Sequence, residues 1–464
     1  MENNATLEKR YGLFTAICMV SGIVIGSGVF FKAQDILNYT EGNMPLGILA
    51  WIIGGAVMII CAVTFANFAA MYEKINGIVD YAEATVGKKY AYLTGWYLSV
   101  MLYPSLTSVL AYISAKYTLA LLGNYDATGG MCMTLAGLLM TLSYAFNTLS
   151  PKLAGKIQVS TTIIKLIPLI LMALIGTVYG IKSGNLNSAF ETAVTHSHIG
   201  FKSLFSGVAA AAFAYEGWII ATSINAELKN AKKNLPIALT VGTLIIITVY
   251  ISYYIGLSGA APIEVLQNEG AIAAFKNIFG SVAGNILNAF IVVSCLGTLN
   301  GVMLASTRGF YSIALRGQGP SPRIFSQVDS ITKMPTNSSI MGLVVCWLWL
   351  FYYYSANLTN PIFGLFSFDS SELPVITVYS FYIPIFVMFA IKKGKKNIIM
   401  PLSAAAASVF MLFCAIYAHG IAPYKAAAER GEFSCPILFY LLVFIAIMLI
   451  GLIFYKEKCS ESRA

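Results

Sequence analysis

Residues 18–30 read Cys18-Met-Val-Ser-Gly22-Ile-Val-Ile-Gly26-Ser27-Gly28-Val-Phe30, inside an apolar run that covers 11–39. A run of about 20 apolar residues crosses a bilayer as a helix. Glycine costs a helix interior about 1 kcal/mol relative to alanine, so three within seven residues invite a break at mid-membrane. Three readings of the glycines compete. A dinucleotide-binding loop would need a preceding strand, and a membrane span stands there instead. Gly22 and Gly26 would also suit a close helix–helix packing face. The third reading is an unwound ligand site. There the amides of Gly26, Ser27 and Gly28, at the N-terminus of a second half-helix, attract an anion such as a carboxylate.

The rest of the chain has the same character. Of its 464 residues, 58% are hydrophobic and only 11% charged, where soluble domains carry about 25% charged residues. Twelve segments are long and apolar enough to span: 11–39, 45–71, 89–122, 130–148, 153–180, 203–226, 235–258, 281–307, 337–356, 372–391, 397–418 and 434–455. Backbone polar groups cannot go unpaired in hydrocarbon, so the fold class is an all-α membrane protein of 12 transmembrane helices. An amphipathic stretch, 77–87, is expected at the membrane surface before the third span. The first ten residues are polar, and no cleavable leader is expected.

Net charge is +9, with no soluble face to form a nucleic-acid surface. The basic residues instead orient the chain. With the N-terminus cytoplasmic, 21 Lys and Arg fall on that side and seven on the other, a strong positive-inside bias that makes both termini cytoplasmic. The eight cysteines form no CxxC pair and mostly sit in apolar runs. No metal, disulfide framework or cofactor is expected. His196 and His198 form a His-x-His in an outer loop, where solvation is the simpler reading than metal binding.

A second break falls at Phe213-Ala214-Tyr215-Glu216-Gly217-Trp218, in the sixth span. Interrupted helices at corresponding positions of two halves are the best sequence pointer to a transporter site. Five spans is an odd number, so the halves 11–180 and 203–391 are inverted, and 397–455 adds helices 11 and 12. Together they make one transmembrane domain.

Nearly all charges fall in loops or at helix ends; the exceptions are Lys165 and Glu216. Each costs about 2.5–3.5 kcal/mol at the centre of a bilayer on insertion scales, so a functional role is the default. Lys165 lies about 18 Å from the cytoplasmic end of its helix at 1.5 Å per residue, too deep to snorkel. Glu216 would bind a cationic group, carry a proton or cap broken backbone. Tyr250 and Asn300 are secondary candidates, each either packing or part of the site.

Further segments carry a family resemblance over most of the chain. They are Ile25-Gly-Ser-Gly-Val-Phe30, Ile163-Ile-Lys-Leu-Ile-Pro168, Phe213-Ala-Tyr-Glu-Gly-Trp218, Glu227-Leu-Lys-Asn230, Asn234-Leu-Pro236, Ser294-Cys-Leu-Gly-Thr-Leu-Asn-Gly301 and Arg308. The sequence resembles the amino acid–polyamine–organocation (APC) superfamily, most closely its L-type amino-acid transporter branch and the related bacterial serine/threonine and alanine/serine/cysteine exchangers.

The resemblance implies a 5+5 inverted-repeat (LeuT-like) fold with helices 1 and 6 unwound, plus two C-terminal helices, and transport by alternating access. The substrate's carboxylate would sit on the amides of Gly26, Ser27 and Gly28. Its amine would meet carbonyls near Ile23 and Val24 and near Phe213 and Ala214. Phe213 would close over it from outside, and Trp218 would line the pocket. Lys165 would fill the place of a coupling sodium ion, bridging Gly22 to Ser294 or Thr298, which implies sodium independence and leaves exchange or proton coupling open.

Many relatives carry glycine where Glu216 stands, 74–81 is a degraded form of a family pattern, and the loop 357–371 is unusual. Small neutral L-amino acids are expected if Glu216 faces away from the pocket, cationic amino acids or amines if it faces in. In animal relatives a heavy chain attaches through a cysteine between helices 3 and 4. Loop 123–130 has none and Cys132 is a marginal substitute, so no partner chain is expected. No HExxH, GxSxG or Walker motif supports an enzyme, and no ring of charges supports a channel. A non-transporting amino-acid sensor is the remaining alternative.

Overall fold

The computed structural model describes residues 8–71, 77–124, 129–195, 201–358, 361–393 and 398–456. Among them lie 12 helices long and apolar enough to cross a membrane. In order, spans 1–6 are Leu13–Tyr39, Met44–Met71, Lys88–Leu121, Gly130–Leu149, Pro151–Ser183 and Lys202–Glu227. Spans 7–12 are Ala231–Ala260, Val282–Ala314, Thr336–Ala356, Leu373–Lys392, Ile399–Ala428 and Pro436–Ile453. All twelve expected spans are present. Span 11 runs ten residues past its expected end, through a π-bulge at Tyr417–Ile421. The one isolated β-bridge among the described residues joins Tyr11 to Leu228.

Burial sorts the spans into an inner and an outer set. In spans 3 and 6, 89% of the central window is buried, against 11% in span 12. Spans 3 and 6 are therefore the core, and span 12 is a lipid-facing wall. Small residues set the closest approach, as expected where lipid removes any hydrophobic drive between helices. A Cβ on Gly256 of span 7 would lie 2.1 Å from the carbonyl oxygen of Met172 in span 5. The two backbones meet there without intervening side chains.

Two interruptions stand inside the core. Span 1 consists of Leu13–Val24 (1a) and Gly28–Tyr39 (1b), separated by Ile25, Gly26 and Ser27. Span 6 is helical over Phe201–Ala214 (6a), turns at Tyr215, Glu216 and Gly217, and continues as a 3₁₀ helix, Trp218–Glu227 (6b). Gly217 has φ 110°, a left-handed value that favours glycine.

Two expectations are corrected. The helix Gly77–Thr85 does not lie on the membrane surface, because Ile78, Val79, Asp80, Tyr81 and Ala82 are all buried. It is wedged into the bundle and pinned by ion pairs from Arg316 to Asp80 and to Glu83. Nor are Lys165 and Glu216 the only charges inside the protein. Arg308 and Glu227 are both buried and joined by a 2.5 Å ion pair. Each charge offsets the burial of the other, and pairing across 81 positions is invisible to a linear reading. His196, His198 and most of the 74–77 stretch lie outside the described residues.

Candidate functional site

The two interruptions face one another across a cavity with about 40 Å³ of free space, more than the roughly 10–15 Å³ that one water needs. Its walls include Ile23, Val24, Gly26, Ser27 and Gly28 from span 1, and Phe213, Ala214, Glu216 and Gly217 from span 6. Glycine is needed at this junction. A Cβ on Gly28 would lie 3.2 Å from the Cα of Ala214, and one on Gly26 would lie 3.0 Å from Oγ1 of Thr298.

The broken backbone sorts its polar groups by side. No backbone carbonyl among the described residues accepts from the amides of Gly26, Ser27 or Gly28. These three donors stand at the start of 1b, where the helix dipole favours a negative charge. The carbonyls of span 1 are mostly claimed from behind. Lys165 Nζ donates to the carbonyls of Gly22 and Ile25, at 2.6 Å each. Its other neighbours are the Ser294 carbonyl at 3.4 Å and Thr298 Oγ1 at 3.2 Å. The Tyr250 hydroxyl donates to the Val24 carbonyl at 3.0 Å.

Lys165 is therefore a buried cation in a cage of four oxygens from spans 1 and 8, and no carboxylate pairs with it among the described residues. Only span 5 could place it there. Thr162, one turn earlier, donates to the Cys18 carbonyl at 3.1 Å and fixes spans 5 and 1a side by side. Gly22 permits this approach, since a Cβ there would strike Thr162 Oγ1 at 2.0 Å.

Glu216 is 6% exposed, and neither carboxylate oxygen accepts a well-formed hydrogen bond. It lines the cavity. Tyr103 and Tyr382 lie within electrostatic reach of it, and their hydroxyls are also buried without a partner. An uncompensated buried polar group costs roughly 1–3 kcal/mol, and a charge more. Of the three, only Glu216 lines the cavity, where a ligand with a complementary polar group would satisfy it.

Not every expected residue reaches the cavity. Trp218 does not line it. Past the left-handed turn at Gly217, its ring packs against Phe65 and Tyr382. Asn300 is a helix–helix tie: it donates to the Ala154 carbonyl at 3.1 Å and receives Asn147 Nδ2 at 3.0 Å. Conversely, the far wall was not foreseen. Leu106, Val109, Leu110 and Ile113 of span 3 line the cavity, with Ile220 and Val302. The four span 3 positions follow an i, i+3, i+4, i+7 pattern, but a helix apolar on every side offers no contrast to reveal which face is inward.

Both ends of the site are closed by ion pairs. On the 1b side, Lys32 bonds Glu372 and Asp35, and its Nζ stands 5.3 Å over the Phe213 ring. Burial works against the Glu372 charge, but Lys32 and His419 beside it together outweigh that and hold the carboxyl down at about 2. On the 1a side, the backbone amides of Arg10 and Tyr11 donate to the Glu227 carbonyl at 2.8 and 3.1 Å. Glu227 is in turn held by Arg308 of span 8.

Residues 11–456 match the amino acid permease family. The chain belongs to that family. Among its relatives, the serine/threonine exchanger SteT of Bacillus subtilis is 29% identical over 421 residues, 88% of this chain and 91% of the relative. The mouse b(0,+)-type amino acid transporter 1 is 26% identical over 71% of this permease and 68% of its own length. The human large neutral amino acids transporter small subunit 2 is 26% identical over 71% and 62%. The permease is thus a multi-pass membrane protein of an amino-acid-transporting family, and the paired breaks in spans 1 and 6 are its candidate substrate site.

Proposed function

We propose that this permease is a sodium-independent secondary transporter of small neutral L-amino acids in the cell membrane, with both termini cytoplasmic. The two halves, 11–180 and 203–391, expose the site alternately to either side, by exchange or with proton coupling. One observation carries the assignment: amides at the start of 1b, from which no backbone carbonyl accepts among the described residues, face the open end of 6a across a shared cavity. A carboxylate fits the amides of Gly26, Ser27 and Gly28. An ammonium fits the carbonyls of Ile23 and Ala214, which accept no backbone amide among the described residues. The small free volume and the aliphatic span 3 wall favour a short side chain. Phe213, with Lys32 above it, covers the outer side.

Sodium independence rests on Lys165. Its ammonium already occupies an oxygen cage of the kind an alkali cation would use, so no second cation is needed to hold spans 1 and 8 together. In proteoliposomes containing the purified protein, labelled serine or alanine exchanges at the same rate when external sodium is replaced by choline. A sodium requirement of tenfold or more would overturn the role given to the lysine. Binding without flux would make the chain a sensor instead. Cys132 is buried, with Sγ 3.9 Å from the Tyr112 carbonyl. It is unavailable to crosslink a second chain, and we read the permease as acting without a heavy chain. Neither catalysis nor a cofactor enters this reading.

Glu216 supports a second reading, transport of cationic amino acids or amines. Glu216 lines the cavity and its carboxylate oxygens accept no well-formed hydrogen bond among the described residues, so a positive side chain bound beside it would neutralise it. Glu216→Gln separates the two. If a cation is the substrate, the variant loses lysine uptake by about tenfold or more, as expected for one hydrogen-bonded charge contact of about 1.5–3 kcal/mol, and keeps serine uptake. Equal lysine uptake by both proteins rejects the second reading.

A further inference from the structure

A second hollow lies on the 1a side of the protein, away from the substrate site. It is a groove of about 650 Å³ bordered by Lys9, Arg10, Lys152, Lys156 and Lys229, with Glu8 the single acid on its rim. Three separate chain segments supply the cations: the residues before span 1, the first turns of span 5, and the loop after 6b. These segments are stapled together. Besides the two amides on the Glu227 carbonyl, Lys229 N donates to the Tyr11 carbonyl at 2.9 Å, and the Tyr11 hydroxyl donates to the Pro151 carbonyl at 3.2 Å. The groove is therefore a fixed concavity rather than a chance meeting of loops.

Lys152, Lys156 and Lys229 are exposed and have no ion pair among the described residues. Arg10 pairs with Glu8 at 3.3 Å. The groove also adjoins the hydrocarbon. Phe14, on its wall, is 62% exposed. Beside Lys152, Leu149 and Leu153 are 70% and 42% exposed. In span 5 only 33% of the central window is buried, so this helix faces lipid along most of its length.

We propose that the groove binds the headgroup of an anionic phospholipid, with the phosphate among Lys152, Lys156 and Lys229 and the acyl chains along Phe14, Leu149 and Leu153. Basic clusters beside an apolar flank at the positive-inside face have the charge and the position for such a lipid. A soluble phosphate would use the cations but gain nothing from the flank. Because the groove joins 1a to span 5, a lipid seated there holds 1a against the bundle and opposes opening on that side.

The test uses the full-length protein in a neutral detergent, with phosphatidylglycerol, phosphatidylcholine and inorganic phosphate as the three probes. Phosphatidylglycerol raises the melting temperature and remains bound in native mass spectrometry. Phosphatidylcholine and phosphate do neither at the same concentration. The triple variant K152Q/K156Q/K229Q melts within a few degrees of wild type without lipid and binds phosphatidylglycerol at least about tenfold more weakly. The single variants K152Q and K156Q, with exposed side chains, show intermediate losses. Equal stabilisation by phosphatidylcholine, or by phosphate alone, overturns the lipid assignment. Undiminished phosphatidylglycerol binding in the triple variant overturns the location.

Discussion

Lys165→Ala is expected to cut exchange to below about one hundredth of the wild-type rate while leaving the bundle folded. The ammonium makes two 2.6 Å hydrogen bonds to the carbonyls of Gly22 and Ile25. Hydrogen bonds to a charged group contribute about 1.5–3 kcal/mol each, and every 1.4 kcal/mol is tenfold. Losing both therefore costs the arrangement of the broken segment a factor of a hundred or more. The fold survives because the same carbonyls have other donors. Thr298 Oγ1 lies 3.3 Å from both, and Ser294 Oγ lies 3.3 Å from that of Ile25. The measurement is exchange of labelled substrate in proteoliposomes, paired with gel filtration of the variant. Wild-type exchange by a monodisperse variant removes Lys165 from the mechanism.

Gly28→Val is expected to weaken substrate binding by at least about a hundredfold. Its Cβ would sit 3.2 Å from backbone, the Cα of Ala214, and 3.5 Å from the Phe213 ring. Backbone cannot rotate away as a side chain would, so 1b must move off 6a, and valine adds two further methyl groups. The shift spreads the three amides that would hold a carboxylate, at about 1.5–3 kcal/mol per charge-assisted bond. Gly12 provides the control, because nothing lies within 4 Å of a Cβ there. Gly12→Ala should bind labelled substrate as wild type does. Unchanged affinity in Gly28→Val would contradict the amide cradle.

The ion pairs at the two ends explain how such a site is kept shut on both sides. Lys32 with Glu372 ties 1b to the start of span 10. Glu227 with Arg308 ties the end of 6b to span 8. Removing one member of a buried pair strands the other charge, at about 3–5 kcal/mol. Movement that separates either pair therefore needs a compensating partner such as water on the opened side.

Much of this was legible before any coordinate. The twelve spans follow from apolar length, a local and additive property that survives whatever the helices pack against. The break in span 1 follows from its glycine cluster, and that in span 6 from Gly217 behind an acid at the corresponding position of the second half, because a helix weakened at one point fails at that point. Lys165 and Glu216 stood out because the energy of a charge in hydrocarbon is too large to be incidental. Facing was a different matter. In spans 3 and 6 every side is apolar, so hydrophobic periodicity carries no information about rotation. Only the assembled bundle turns Leu106, Val109, Leu110 and Ile113 toward the cavity, directs Trp218 away from it, and brings Glu216 in. The wedge Gly77–Thr85 was likewise misplaced, because its amphipathic pattern fits a membrane surface as well as a buried groove lined by Arg316. The pairing of Arg308 with Glu227 depends on two helices meeting, and no local property of either residue specifies its partner. Composition and local helix strength thus determined how many helices there are and where they fail. Packing alone decided which way each one points and which charges meet, because those outcomes depend on contacts between segments far apart in the chain.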